Sequence, residues 1–397
     1  MSQTTSRRAH RPLRLGLGVF GLVAIILAAV FAGGPALYRL VSGSTAVTPI
    51  SAGDAQRAVR YGPRRSGDGG TVGRELGGFA NAAQWVFYDD ATLNRELDAI
   101  QNTGAGWVRF DFLWTAIEPN NNQWSFARYD QVVAAVRAHG LQILGELDFT
   151  PPWARSAACS ASDKCPPGNL SEWQEFVTTT VNRYKASVQH WEIWNEPNLS
   201  GFWASGPDPA AYTALLQASY PAVKAGDPNG VVISGGLAPA GVRDADRYPP
   251  LDFLKGMYAA GAHGSFDAFG MHPYTYPYTP DEPASYNNFG NLGMYYDVMV
   301  ANGDQDKQVW STEAGAPTGT FVGSDRRAIS EAQQAMTATR IYQIAATRPW
   351  MGPVFWFCFR DYGPDPADIE QNFGILHNDW TPKPAYDAYV AVMQQGL

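Results

Sequence analysis

The chain has 397 residues, of which 45% are hydrophobic, and a formal net charge of −8 at pH 7. That length is enough for one large α/β barrel of about 250–350 residues together with an N-terminal extension. Five arginines lie within the first 40 residues, where there is no Asp or Glu, so the rest of the chain is more acidic than the total. An acidic body excludes the class of proteins that bind nucleic acid through a basic surface.

The N-terminus contains a candidate membrane segment. Four arginines precede residues 15–38, a stretch of 24 residues without charge, and about 20 apolar residues are needed to cross a bilayer. The preceding positive charges predict a cytoplasmic segment at 1–14, a membrane anchor at 15–38 and a body on the extracytoplasmic side. A cleavable signal peptide is the alternative, because Val30-Phe31-Ala32 has the small residues of a cleavage site. The length of the apolar run favours the anchor.

Residues 39–75 are rich in Ser, Gly, Arg and Pro without helical or strand periodicity, which predicts a linker. From residue 76 onward, short apolar runs alternate with amphipathic helical patterns. The predicted strands cover residues 76–80, 107–111, 141–147, 190–194, 230–235, 266–271, 308–312 and 353–357. A helical pattern follows each of them, and the last two helices are predicted at 330–347 and 385–393.

Eight such alternations predict a (β/α)8 TIM barrel over residues 76–397. Asp208 before Pro209 predicts one helix start, Ser171 with Gln174 has the spacing of a capping box, and Gly140 predicts a helix end. The active site of a TIM barrel forms at the C-terminal ends of its strands. The polar residues that follow the apolar runs are Arg109, Asp111, Glu146, Asp148, Asn195, Glu196, His272, Tyr274, Glu313, Arg360 and Asp361.

The three cysteines fall into two groups. Cys159 and Cys165 share a polar loop, and in an exported protein this spacing indicates a local disulfide. No His or further Cys accompanies them, which argues against a metal site there. Cys358 lies in an apolar run and is predicted to be a buried free thiol.

The most informative stretch is residues 190–198, where an alternating strand pattern ends in Asn195-Glu196-Pro197. Pro197 has no N–H and cannot continue a strand, so Glu196 is placed where a strand ends and a loop begins. Neighbouring tryptophans would desolvate this carboxyl group, which raises its pKa and suits a proton donor near neutral pH. Asn195 is an uncharged donor and acceptor suited to holding a hydroxyl group.

Trp194-Asn195-Glu196-Pro197 resembles the acid/base motif of the clan A glycoside hydrolases, which are TIM-barrel retaining enzymes. The resemblance covers roughly residues 75–395. Within the clan, the chain is most similar to family 39 and the related cellulase-like families. Thr-Pro-Pro-Trp at 150–153 and the Trp-Asn-Glu-Pro-Asn stretch are close to those of bacterial exopolysaccharide hydrolases of that group.

Glu313 follows the seventh predicted strand and precedes small residues that let a substrate approach closely. The resemblance implies that Glu196 is the acid/base and Glu313 the nucleophile, about 5 Å apart across the barrel mouth. The alternative for either residue is a surface or salt-bridged glutamate. The resemblance further implies that Arg109 pairs with the nucleophile and keeps it ionised, although an ordinary ion pair with Asp111 remains open.

The resemblance also implies a set of substrate contacts. His272 is expected to bind a sugar hydroxyl and Tyr274 to donate to the nucleophile, while a satisfied core histidine is the alternative. Trp356 is expected to form the floor of the sugar site, or else to pack in the core. The remaining candidates for contacts with sugar rings or hydroxyls are Trp153, Glu146 and Asp148, and one of the two acids could instead be structural.

Together these features predict a retaining O-glycosidase that acts on a cell-surface or extracellular polysaccharide or oligosaccharide and needs no metal or cofactor. One alternative is a catalytically silent glycan-binding barrel tethered to the membrane by its N-terminal segment. Another is a transglycosylase that uses the same residues with an acceptor sugar in place of water. The acidic body is compatible with a neutral glycan as the partner.

Overall fold

The computed structural model describes residues 71–285, 287–320 and 327–394. The predicted cytoplasmic segment, the membrane segment at 15–38 and the linker up to residue 70 lie outside the described residues. Within the described ranges, no helix is both long and apolar enough to cross a membrane.

Eight parallel strands form a closed barrel in which each strand pairs with its neighbours in sequence and the first pairs with the last. This confirms the predicted (β/α)8 architecture. The strands are β1 Gly77–Ala80, β2 Trp107–Leu113, β3 Gln142–Asp148, β4 His190–Ile193, β5 Val231–Ser234, β6 Ala268–Met271, β7 Gln308–Ala314 and β8 Met351–Phe357.

The helices surround this barrel. They are α1 Thr71–Leu76, α2 Asp90–Asn102, α3 Trp114–Ile117, α4 Ala127–Ala138, α5 Leu170–Tyr184, α6 Pro209–Gly226, α7 Pro250–Ala259, α8 Leu292–Ala301, α9 Glu331–Ala346 and α10 Pro384–Gln394. Helix α1 precedes β1, α10 follows β8, and the others lie between consecutive strands. Short 3-10 helices cover Ala82–Val86 and Ile369–Gln371.

Two predicted boundaries are wrong for local reasons. Leu76 ends helix α1, so the first strand begins at Gly77 and the predicted linker overlaps a helix. Helix α5 begins at Leu170, because the side chain of Asn169 accepts a hydrogen bond from the backbone N–H of Ser171 and caps the helix. Ser171 is therefore inside the helix and cannot form the predicted capping box.

The barrel interior is filled in layers. Its lower layer is aromatic: the ring centroid of Trp107 lies 4.9 Å from that of His190 and 5.4 Å from that of Trp310. Phe355 contacts the same rings. Because side chains alternate along a strand, the next inward position above Trp107 is Arg109. The charged residues of the barrel thus lie above an apolar floor.

The expected disulfide between Cys159 and Cys165 is present, with the two Cα atoms 5.4 Å apart. It closes a short loop within residues 149–169, between β3 and α5, on the side of the barrel where the strands end. Cys358 is a buried free thiol, as predicted.

The start of helix α6 can be used to test whether an N-cap side chain stabilises the fold. The side chain of Asp208 accepts hydrogen bonds from the backbone N–H groups of Ala210 at 2.8 Å and Ala211 at 3.3 Å. We expect Asp208→Ala to lose about 1 kcal/mol of stability and about 2–4 °C in Tm, because these N–H groups lose their acceptor. Asp208→Asn keeps an acceptor oxygen and is the matched control. An equal loss in both variants, measured by thermal unfolding, would show that capping is not the cause.

Candidate active site

Glu196 and Glu313 meet at the open end of the barrel. Glu196 follows β4 and Glu313 lies near the end of β7. Both side chains are largely buried, with 7% and 8% exposure. One carboxylate oxygen from each, together with a ring nitrogen of His272, lie within 4.8 Å of one another.

The backbone after β4 turns sharply to place Glu196 there. Trp194 has a φ angle of 70° and Glu196 a φ angle of 41°. Such left-handed values are uncommon for residues with a side chain and concentrate at functional sites. The indole N–H of Trp194 donates to the carbonyl of Phe202 at 2.7 Å, which anchors this turn to the following loop.

His272 lies between the two carboxyl groups. Its Nδ1 is 2.8 Å from Oε1 of Glu196 and 3.4 Å from Oε2 of Glu313. Burial lowers the pKa of His272 well below its ordinary value, and the charge of Arg109 lowers it further, so the imidazole is neutral. Its Nδ1 contacts the carboxyl groups, whereas its buried Nε2 has no hydrogen-bond partner among the described residues, and the contact between His272 and a sugar hydroxyl stays a prediction.

Arg109 organises the layer below the mouth. Its guanidinium donates to Glu192 at 2.5 Å, Glu146 at 2.6 Å and Glu313 at 2.8 Å. It also donates to the side-chain oxygen of Asn195 at 3.2 Å, which orients that amide. Arg109 forms no hydrogen bond with Asp111 within the described part of the chain, so the alternative ion pair is not what holds it.

The two catalytic candidates have different surroundings. Burial raises the pKa of Glu196 well above its ordinary value, and the negative charge of Glu313 raises it further. Burial also raises the pKa of Glu313, but the charge of Arg109 and a 2.7 Å hydrogen bond from the hydroxyl of Tyr274 oppose that rise. The environment therefore raises the pKa of Glu196 more strongly than that of Glu313, so Glu196 is the better proton donor of the two.

Trp356 does not reach the mouth, and its predicted role as the floor of a sugar site is wrong. The side chain is fully buried in the core between strands and helices, and its indole N–H donates to the carbonyl of Phe373 at 3.0 Å. Alternation along β8 instead turns Phe355 and Phe357 toward the barrel interior. Phe357, at the end of the strand, is the aromatic residue of β8 nearest the mouth.

Trp153 remains partly exposed on the β3–α5 loop. Its indole N–H donates to the carbonyl of Glu118 at 3.1 Å and its ring packs edge-on against Trp114. Glu146 and Asp148 are 1% and 0% exposed; Glu146 accepts a hydrogen bond from Arg109, whereas the carboxyl oxygens of Asp148 accept none from any described residue. The contacts of these two acids with sugar hydroxyls stay a prediction.

Glu192 was not predicted from the sequence, yet it is the carboxylate nearest to Arg109. It is fully buried and also accepts a hydrogen bond from the backbone N–H of Gly236 at 2.9 Å. The alternation of side chains along β4 could have predicted its direction, because His190 and Glu192 must face the same side of the strand. Since His190 lies in the barrel interior, Glu192 must as well.

Comparisons with known proteins agree on one class of enzyme. The family model "Cellulase (glycosyl hydrolase family 5)" matches residues 69–347. Endo-1,4-beta-xylanase C of Phanerodontia chrysosporium is 28% identical over 165 residues, which are 38% of this chain and 40% of that protein. Beta-xylosidase of Geobacillus stearothermophilus is 27% identical over 153 residues, which are 33% of this chain and 30% of that protein. The matches thus span less than half the length of these curated relatives.

Solved structures show the same fold. A family 39 glycoside hydrolase from Bacteroides cellulosilyticus WH2 aligns with a TM-score of 0.66 and 25% identity, over 82% of this chain and 64% of that chain. Xylanase 10B from Thermotoga petrophila RKU-1 aligns with a TM-score of 0.58 and 16% identity, over 81% of this chain and 95% of that chain. At that lower identity the similarity concerns the fold alone.

The hydrogen bond from Tyr274 to Glu313 predicts that the pKa of Glu313 changes when this hydroxyl group is removed. We expect Tyr274→Phe to raise the pKa of Glu313, because the hydrogen bond that stabilises its ionised form is lost. Infrared titration of the carboxyl bands, read as the difference from the same protein carrying Glu313→Gln, isolates this group. Tyr278→Phe, which removes a hydroxyl from a more exposed tyrosine, is the control. An unchanged or lowered pKa in Tyr274→Phe would contradict the assignment.

Proposed function

The chain belongs to the cellulase family of glycosyl hydrolases, family 5, and on that premise we propose that it is a retaining O-glycosidase. In this proposal Glu196 is the acid/base and Glu313 the nucleophile, and the substrate is a polysaccharide or oligosaccharide outside the cytoplasm. No metal or organic cofactor takes part in the chemistry.

The observation that carries the proposal is the separation of the two carboxyl groups. An oxygen of Glu196 and an oxygen of Glu313 lie within 4.8 Å of each other. Retaining glycosidases hold their carboxyl groups about 5–5.5 Å apart, whereas inverting enzymes leave about 6.5–9.5 Å for a water molecule. The short separation supports direct attack by a carboxylate in preference to attack by water.

In the first step, a carboxylate oxygen of Glu313 forms a bond to the anomeric carbon while the bond from that carbon to the leaving oxygen breaks. Glu196 transfers its proton to the leaving oxygen, so the departing sugar leaves as an alcohol. The contact between Glu196 Oε1 and Nδ1 of His272 leaves the other carboxyl oxygen to face the substrate. His272 thus positions the acid.

The second step reverses the role of Glu196. Once Glu313 is esterified to the sugar it no longer carries a charge, and the charge that raised the pKa of Glu196 is gone. The pKa of Glu196 then falls, so its carboxylate can remove a proton from water as the water attacks the anomeric carbon. Glu313 leaves as a carboxylate, stabilised again by Arg109 and Tyr274.

The relatives give the first substrates to examine. They include two proteins named endo-1,4-beta-xylanase and one named beta-xylosidase. We propose β-1,4-linked xylan, its oligosaccharides and aryl β-xylosides as the primary panel, with cell-envelope polysaccharides beside them. Asn195, oriented by Arg109, and the partly exposed Trp153 are the proposed contacts for hydroxyl groups and a sugar ring.

We further propose that the barrel works on the extracytoplasmic side of the membrane. The disulfide between Cys159 and Cys165 supports an oxidising compartment. The arginine-flanked apolar stretch at 15–38 supports export with the N-terminus inside. That stretch would tether the enzyme near a cell-surface polysaccharide.

The two-step mechanism predicts that variants of Glu196 and Glu313 form glycosyl azides of opposite configuration when azide is added. We expect Glu196→Ala to lower kcat by about 10²–10⁴-fold on substrates with poor leaving groups, and Glu313→Ala to lower it by more than about 10⁴-fold. With an activated aryl β-glycoside, azide should restore turnover in both variants. The product should be the β-glycosyl azide with Glu196→Ala and the α-glycosyl azide with Glu313→Ala, because azide enters on opposite faces of the sugar.

Glu175→Gln, which removes an exposed carboxyl group from helix α5, is the matched control and should retain full activity. Product stereochemistry by proton NMR checks the assignment. An α-configured first product from the unaltered enzyme acting on a β-glycoside would contradict the retaining mechanism. Unaltered glycan binding without turnover on any substrate would favour the binding-module alternative.

A further inference from the structure

A second group of carboxyl side chains lies beside the catalytic pair, and we call it the acidic cluster. It consists of Asp111 near the end of β2 and of Glu146 and Asp148 at the end of β3. One oxygen from each lies within 4.8 Å of the others. The three residues are 6%, 1% and 0% exposed, so the cluster is enclosed by protein.

The cluster has oxygens without a partner. Both carboxylate oxygens of Asp148 and Oδ1 of Asp111 are enclosed and accept no hydrogen bond from any described residue. Buried carboxyl groups are normally paired, because an uncompensated buried charge is strongly unfavourable. These oxygens are therefore free to accept a ligand.

The nearby basic side chains do not fill this role. Arg109 reaches Glu146 but shares its donors with Glu192 and Glu313. The ammonium group of Lys164 lies 3.4 Å from the ring centroid of Phe149 and 3.2 Å from a carboxylate oxygen of Asp163. Its charge acts on Asp111 and Asp148, but it forms no hydrogen bond with either. Asp148 is thus left without a bonded cation among the described residues.

We propose that the acidic cluster binds one divalent cation, with Ca²⁺ as the ion that fits it best. All its ligands are carboxylate oxygens, which hard cations prefer. Two oxygens bound to one Ca²⁺ ion are at most roughly 4.6–5.2 Å apart, since each lies about 2.3–2.6 Å from the metal, and the three oxygens of the cluster lie within 4.8 Å of one another. Ca²⁺ also accepts bidentate carboxylates and irregular geometry, whereas Mg²⁺ requires a near-ideal octahedron.

A sugar is a poorer fit for the same oxygens. Atoms without exposed surface cannot contact a substrate that enters from the mouth, whereas a single ion can be enclosed as the loops close during folding. The ion would join the ends of β2 and β3. It would also reach the catalytic centre, because Glu146 shares Arg109 with Glu313. The cation site does not depend on the proposed function.

The test measures metal binding by the full-length protein. Protein treated with EDTA and then dialysed is titrated with CaCl₂ by calorimetry, and its metal content is measured after equilibration. We expect one Ca²⁺ per chain and a rise of about 5 °C in Tm at 100-fold excess over Kd. Mg²⁺ at equal concentration should give a smaller shift.

Variants separate this site from other carboxyl groups. Asp148→Asn should abolish the Ca²⁺-dependent rise in Tm, yet in EDTA it should be at least as stable as the unaltered protein because a buried unpaired charge is removed. Asp111→Asn is a second variant of the cluster, in case Asp148→Asn does not fold. Glu175→Gln, on the exposed face of α5, is the matched surface control and should keep full binding.

Glu196, His272 and Glu313 form the other group of described side chains that could bind a metal ion. A third variant tests whether the ion binds there instead. Glu196→Gln should still bind one Ca²⁺. If Glu196→Gln loses the ion while Asp148→Asn and Asp111→Asn retain it, the ion belongs to the catalytic pair and the proposal fails. The proposal is also overturned if the unaltered protein binds no Ca²⁺ and its Tm is the same with and without the ion.

Discussion

The buried guanidinium of Arg109 is the interaction on which the rest of the site depends. It sits inside the barrel at 1% exposure and bonds to carboxylates from β3, β4 and β7. Each of those carboxylates would be costly to bury alone, and each would repel the others. One cation thus allows three strands to bring acids to the same end of the barrel, and the ion pairs fix the strand ends relative to each other.

The positive charge of Arg109 acts more directly on Glu313 than on Glu196. Glu313 receives a direct hydrogen bond from Arg109, whereas Glu196 contacts a neutral histidine. Two carboxyl groups only a few ångströms apart therefore have unequal surroundings, and the pKa of Glu196 is raised more strongly than that of Glu313. The family assignment places the chain among the glycosyl hydrolases, and under the proposed mechanism the different surroundings of the two glutamates suit them to different roles.

Much of the architecture could be predicted from the sequence, because each strand is a short apolar run followed by a helical pattern. The positions of Glu196 and Glu313 at strand ends followed from Pro197 and from the small residues after β7. The direction of Trp356 did not, since a one-residue change of phase turns a side chain from the interior to the outer core. The burial of Asp148 also could not be predicted, because it depends on how the β3–α5 loop packs over the strand end.

The aromatic layer formed by Trp107, His190, Trp310 and Phe355 limits how solvent and ions reach the barrel interior. It fills the interior at the end where the strands begin, so the barrel is open at the end where the strands finish. Burial lowers the pKa of His190 to about 4, so this aromatic layer stays uncharged at neutral pH and attracts no ions from below. Solvent therefore reaches the layer of Arg109 from the rim where the strands end, and under the proposed function a glycan bound at that rim would separate this layer from solvent.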